Sequence, residues 1–517
     1  MNARTMIKLA QSGAPLFQCY LKDLPGLLTT TPKTLAEHIV ASTSLQSGIP
    51  GVAPVSRVQL SHTTNVFHKL AGTSTQSIQE TEKQFLNNSP IIRIAHQPNT
   101  FAYLGVFAQF IFLKTLHQVL KNDYNVDVCM AYFAVDYNHI GEKRFSTSSL
   151  PDVHSKTGRL NLSIDLTGKY DGKVIFAAKK PEFDLVKLWM LNIEKYLDAH
   201  LKDLSRVGIK EKEPGQLRSF WEEVKSDIWY SYYNSKNLEE FNLIFISRLV
   251  NIRWDIPVLF FPLSKVVSLM KNHYQILLNL YPDIVKISNE IYDELISLGV
   301  TLSNNMRLST KEFPFWYICD KCNTRVSLKM DTNHEVKISG TCKNCHANIE
   351  HNLGLKTNIN IDDIYTKLIP KVFFDVMLDM IGWGIAGGTG YIGAAEHAII
   401  VGKTALRLGW MVPTETLWQP RATCFGASEI LASVEAKKDR KIMRSKKHQT
   451  IFELIFSGRA SILYYLLNCG YGNLLDGWEQ HFYRGGNTHE IMMQHSAFTF
   501  NQDICSLLTD QFINYGQ

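Results

Sequence analysis

A chain of 517 residues exceeds what one hydrophobic core holds, since single cores stop growing near about 250–300 residues, so two or more domains are expected. Its 45% hydrophobic and 20% charged residues are ordinary for a globular enzyme. The formal net charge of +6 is mild and neither requires nor excludes a nucleic-acid partner.

Residues 1–90 read as helix and loop, with Ser/Thr/Gly-rich connections such as "STSLQSGIPGVAPVS" and "AGTSTQSIQETEK". The N-terminus has basic residues but neither a sustained apolar core nor a clear cleavage site, so a cytoplasmic location is the default expectation. "PIIRIAHQPNTFAYLGVFAQFIFLKTLHQVL" gives a short apolar strand, a Pro/Asn turn and a long helix. A second strand follows at "VDVCMAYFAVDYNHIGE" and ends in polar residues, at the carboxyl edge where parallel sheets bind ligands. This βαβ order points to a doubly wound α/β fold.

From about 180 to 300 the pattern is mainly helical, with Trp189, Trp221 and Trp229 at core-like spacing. "LIFISRLVNIRWDIPVLFFPL" is the nearest approach to a membrane span, but Arg248, Arg253 and Asp255 interrupt it, as in a buried strand between helices. The stretch from Ser264 to Gly299 is long enough to project as a helical arm or hairpin. After residue 355, "VMLDMIGWGIAGGTGYIGAAEHAIIVGKTALRLGW" reads as an apolar run, a Gly-rich loop and a helix, and "MVPTETLWQPRATCFG" as another strand. The expected division is therefore 1–180, the N-terminal region and first part of the core; 181–310, the helical arm and core connection; 311–355, a zinc ribbon; and 356–517, the second part of the core with a C-terminal helical region.

Two C-x-x-C pairs, Cys319/Cys322 and Cys342/Cys345, are separated by the nineteen residues 323–341 in a chain with nine cysteines. Two such turns joined by a hairpin-length insert close a four-sulfur tetrahedron suited to zinc. Disulfides are the competing reading, one that belongs to short secreted chains. A shell of four thiolates leaves no open position, so its expected role is structural, with His334, His346 and His351 as solvated neighbours.

Three stretches can carry chemistry. His96, Gln97 and Asn99 stand at a strand-to-helix turn, where backbone N–H groups favour phosphate and a histidine can donate to a phosphoryl oxygen. The same residues can instead simply cap the helix. Gly387, Gly388, Gly390 and Gly393 precede a helix and allow close backbone approach to an anion, without matching a P-loop. Asp136, Asn138, His139 and Glu142 follow the second strand; Asp136 can orient an amine or act as base, His139 can act as general acid or base, or the group can cap the next element. Seven Lys/Arg between Lys437 and Lys447 form a solvated face or a phosphate grip.

In their order these parts resemble the bacillithiol-synthesis cysteine-adding enzymes. "AHQPN" stands where that family has G-Q-Q-x-G and keeps Gln97, while "VDYNHIGE" resembles its acidic cluster in Asp136 and Glu142. "AGGTGYIGAAEH" keeps Gly387 and Gly388 of its glycine loop, and "MVPTETLWQPR" keeps Pro413 and Arg421. The resemblance spans roughly residues 90–425. Ala95, His96 and Tyr391 replace family residues, and the ribbon is an insertion. It implies a Rossmann-like core with a coiled-coil arm and ATP-driven joining of an amino acid to an amine; the length of the helical arm itself allows a homodimer through it. Gln97, Asn99, Gly387, Gly388, Gly390 and Arg421 would bind ATP or ADP, and His96, Asp136 and His139 would be catalytic.

A second resemblance sets an alternative. "HQPN" with the downstream "KIMRSKK" is similar to the H-x-G-H and K-M-S-K-S pair of class I aminoacyl-tRNA synthetases, with His96 in the first histidine's place and none at the fourth position. It implies a nucleotidyl or aminoacyl transferase that requires tRNA. A non-enzymatic module binding RNA or protein through ribbon and basic helix is the third reading.

Overall fold

The computed structural model describes residues 32–41, 48–137, 145–152, 154–166, 172–206, 215–297, 306–382, 385–389, 392–410, 450, 454 and 460–469. His139, Gly390, Arg421 and the basic segment 437–447 lie outside the described residues, as does the strand expected at 411–426.

Helices α1 (Pro32–Ala41), α2 (Arg57–Ala71) and α3 (Gln76–Leu86) precede β1 (Ile91–His96), α4 (Leu104–Tyr124) and β2 (Cys129–Ala134). A hairpin of β3 (Thr147–Pro151) and β4 (Arg159–Ser163) leads to α5 (Phe183–Arg206), α6 (Gln216–Asn234), α7 (Leu238–Ser247) and β5 (Val258–Pro262). Then come α8 (Lys271–Asn279), α9 (Tyr281–Ser297), strands β6 (Glu312–Ile318), β7 (Arg325–Asp331), β8 (Glu335–Thr341), β9 (Asn348–Leu355), β10 (Asn358–Ile359) and β11 (Leu368–Pro370). The described chain closes with α10 (Val372–Ile381), β12 (Ile385–Thr389), α11 (Ile392–Arg407) and α12 (Ile462–Cys469). No described helix is long and apolar enough to cross a membrane.

Two sheets organise the fold. The first has four parallel strands in the order β12-β1-β2-β5. Strands β1, β2 and β5 are buried on both faces, as parallel strands under helices must be. Alternation along each strand splits the interior: Ile92, Ile94, Met130, Tyr132 and Phe260 join one core with α4, α5, α6 and α7. Ile91, Cys129, Phe133, Leu259 and Phe261 join another with α8, α9 and α10. The second sheet has six antiparallel strands, β10-β9-β8-β7-β6-β11, and its apolar residues belong to that second core.

Two expectations are corrected here. The segment read as a projecting arm is broken into α8 and α9, with Pro282 in the first turn of α9, and it is packed: Tyr274, Leu277, Leu278, Ile284, Ile291 and Leu295 are buried. Gly387 and Gly388 lie not in a loop but in β12, paired with Ile92 and Arg93. Tertiary pairing overrides the low strand propensity of glycine. Trp189 and Trp221 are core residues as expected.

Candidate metal centre and carboxyl-edge site

The four cysteines come together where the sequence spacing puts them. Their sulfurs lie within 4.8 Å of one another, with Cys319 and Cys345 at 3.5 Å and Cys322 and Cys342 at 3.5 Å. A disulfide needs about 2.05 Å, whereas a zinc tetrahedron with bonds of about 2.3 Å spaces its sulfurs by roughly 3.8 Å. The cluster fits a metal such as zinc.

The two cysteine turns repeat one geometry. Cys319 N–H donates to Thr324 O and Asn323 N–H to Cys319 O; Cys342 N–H donates to Ala347 O and His346 N–H to Cys342 O. Asn323 and His346, each following the second cysteine, have φ of 56°. Burial pushes the Cys319 and Cys342 thiols up, and backbone N–H groups of Lys321 and Cys322 at Cys319 and of Cys345 and Asn344 at Cys342 offset part of that rise. His346 is spent on the turn, His351 lies against the Tyr317 ring, and His334 is exposed. None of the three is in the cluster.

At the carboxyl edge of the parallel sheet a second arrangement forms. His96 ends β1 beside Ala134 of β2, which pairs in turn with Pro262 of β5. The His96 ring is buried and each nitrogen has a partner: Nδ1 donates to Gln97 O at 2.8 Å, which leaves Nε2 to accept from the Tyr103 hydroxyl at 2.7 Å. In this arrangement neither ring nitrogen is open to a substrate oxygen, and the two bonds tie the end of β1 to the turn 97–103. Phe101 in this turn has φ of 42°, a left-handed conformation costing a bulky residue on the order of 1–2 kcal/mol. Its ring packs against Trp189, Phe241 and Phe245, and its carbonyl accepts from Ser148 and Ser461.

Asp136 follows β2 and is fully buried. It accepts from Ser264, just beyond β5, through Oδ1 from the backbone N–H at 2.7 Å and through Oδ2 from the hydroxyl. Its other neighbour is Glu239 in the first turn of α7, which hydrogen-bonds to it. Burial pushes Asp136 up to about 6 despite the two Ser264 bonds, and Lys265 restrains the rise. Burial and then the Asp136 charge push Glu239 well above the ordinary carboxylate range. A hydrogen bond between two carboxyls needs a proton, so the bonded pair carries at most one negative charge. The start of α7 is fixed by Asn237, whose Oδ1 accepts from Glu240 N–H at 2.8 Å and whose Nδ2 donates to Phe176 O at 3.2 Å.

One turn along α7, Asn242 Nδ2 donates to the Pro98 carbonyl at 2.7 Å, tying the helix to the His96 turn. Gln97 Oε1, both side-chain atoms of Asn99, Asn242 Oδ1 and Glu239 Oε2 are buried with no hydrogen-bond partner among the described residues. His96, Gln97, Asn99 and Asp136, singled out in the sequence, are thus brought to one edge. Glu239 and Asn242 were missed; the only local signal was the cap Asn237 before two glutamates, which marks a helix start and no chemistry.

No protein-family model matches this chain, and no curated protein matches it.

Proposed function

We propose that this chain is an ATP-using enzyme that forms a carbon–nitrogen bond between an amino acid and an amine, on a Rossmann-like core. The observation that carries this reading is the strand order. Numbered by appearance, the parallel strands run fourth, first, second, third, so the direction of strand addition reverses between β1 and β12. Open parallel sheets bind ligands in the crevice outside the carboxyl ends of such a reversal. The turn after β1 flanks it and leads into the N-terminus of α4, which favours phosphate. Backbone N–H groups of that turn cradle the nucleotide, with Gly388 keeping β12 free of a side chain beside Arg93. The Asp136–Glu239 pair manages the amine proton. The sequence resemblance to cysteine-adding enzymes supports the reaction class.

Titration calorimetry of the full chain with MgATP and MgADP tests the nucleotide, and a panel of amino acids and amines followed by phosphate and pyrophosphate release tests the reaction. Absence of any nucleotide signal at millimolar concentration overturns the reading. Release that requires tRNA replaces it with the synthetase-like alternative.

A further inference from the structure

The turn after His96 and the start of α7 carry five buried polar atoms with no partner among the described residues, four of them oxygens, Gln97 Oε1, Asn99 Oδ1, Asn242 Oδ1 and Glu239 Oε2, and one a nitrogen, Asn99 Nδ2. Asn242 Oδ1 is fixed as an acceptor because its Nδ2 already donates to Pro98 O. Glu239 and Asn242 are three residues apart and share a face of α7. The Pro98 that Asn242 grips lies between Gln97 and Asn99. Asn99 is 3% exposed, and Asn242 and Glu239 are 1% exposed, so water does not satisfy them cheaply.

Each buried orphan forfeits the hydrogen bonds it made to water in the unfolded chain, and apolar residues of the same shape would remove that cost. A surplus of acceptors around a single negative charge is complementary to a cation with several N–H donors. A primary ammonium group offers three donors and one charge. Phosphate or carboxylate would meet acceptors and a like charge. A divalent metal needs deprotonated carboxylates, but Asp136 spends both oxygens on Ser264 and its hydrogen bond with Glu239 needs a proton.

We propose that Gln97, Asn99, Asn242 and Glu239 bind a primary ammonium group, held by the charge of Asp136 behind Glu239. This moves Gln97 and Asn99 from the phosphate cradle expected in the sequence to the amine. That the ammonium belongs to the amine substrate rests on the bond-forming reading above. Passing one proton from nitrogen to the pair leaves a neutral amine with its lone pair and a carboxyl pair holding two protons.

The test is a thermal shift on the metal-loaded full chain with 20 mM ethanolamine, choline or ethylene glycol as probes. Ethanolamine should raise Tm by roughly 2 °C or more. Choline, with the same charge and no N–H, and ethylene glycol, with neither charge nor amine, should leave it unmoved. Asn99→Leu should fold with an equal or higher Tm, because it removes two orphaned atoms, and should lose the ethanolamine response. An equal shift with choline, no shift with ethanolamine, or a retained response in a folded Asn99→Leu protein overturns the site. Loss of the ATP signal with the ethanolamine response intact defeats the bond-forming reading and leaves the ammonium site standing.

Discussion

His68 and Asp136 are buried ionisable groups that pull in opposite directions with pH. His68 is neutral: Nε2 accepts from Phe260 N–H at 3.3 Å, Nδ1 donates to Thr73 at 2.7 Å, and burial drops it to about 3. Between pH 6.5 and 3 the unfolded chain binds the extra proton, so the stability His68 contributes is complete above 6.5 and lost as pH falls, by about 1.4 kcal/mol per unit well below 6.5. Asp136, raised to about 6, has the reverse sign: its contribution is complete below the ordinary carboxylate value and lost as pH rises through 6, and Glu239 acts in the same direction. In the intact protein the His68 slope offsets one carboxyl slope and the second carboxyl remains, so Tm falls as pH rises from 4.5 to 6.5. His68→Gln should steepen that fall, and Asp136→Asn, which leaves Glu239 against His68, should flatten it. Melting curves at the two pH values check both, and parallel profiles for the two variants would refute the assignment. Asp136 was legible because polar residues followed an apolar strand. Glu239 was not: a glutamate in a helix's first turn looks like an ordinary dipole partner, and only the tertiary fold sets it against a second carboxyl.

The cysteine turns show how far one element can be read from sequence. Ligand number and type follow from the two C-x-x-C spacings, whereas the partners of those turns do not. His346 at φ of 56° pays for a left-handed conformation that glycine adopts freely. His346→Gly should therefore be neutral or stabilise by up to about 1 kcal/mol and should keep the metal content of the parent protein, as read by elemental analysis; lost metal would make His346 a ligand after all. The first cysteine turn is also docked on the segment 172–174: Arg325 N–H donates to Gly172 O at 3.1 Å and Val174 N–H to Asn323 O at 3.3 Å. The same segment runs on to Phe176, which accepts from the α7 cap Asn237. Chelating the metal should speed hydrogen exchange first in 319–324, 342–347 and the Val174 and Arg325 amides, while α4 stays protected. Uniform loss of protection in α4 would contradict this local coupling. Strand β12 escaped the sequence reading for the opposite reason to the cysteines. "IAGGT" has no strand-forming pattern of its own, and only its pairing with β1 makes it one.

At the scale of the whole molecule the question is whether the four-cysteine ribbon melts with the parallel sheet or separately from it. As a sequence, 311–355 looks like an independent insert, because its cysteines bound it and its strands alternate. In the fold its apolar side chains do not close on themselves. Phe313, Phe315, Leu328 and Ile338 share a core with Phe133 and Phe261 of the parallel sheet and with Tyr274 and Phe374 of the helices between. Phe315 lies 4.6 Å from the Tyr274 ring, and β11, which lies immediately before α10, pairs with β6 in the antiparallel sheet. A shared apolar core is what makes two segments unfold cooperatively. Differential scanning calorimetry of the metal-loaded chain should therefore show the ribbon and the parallel sheet unfolding in one transition. Cys322→Ser should move that transition to lower temperature without splitting it. A separate low-temperature peak, present in the parent and absent from the variant, would mean that the ribbon holds itself together by its metal alone and that the contacts of Phe313 and Phe315 with the sheet core contribute little.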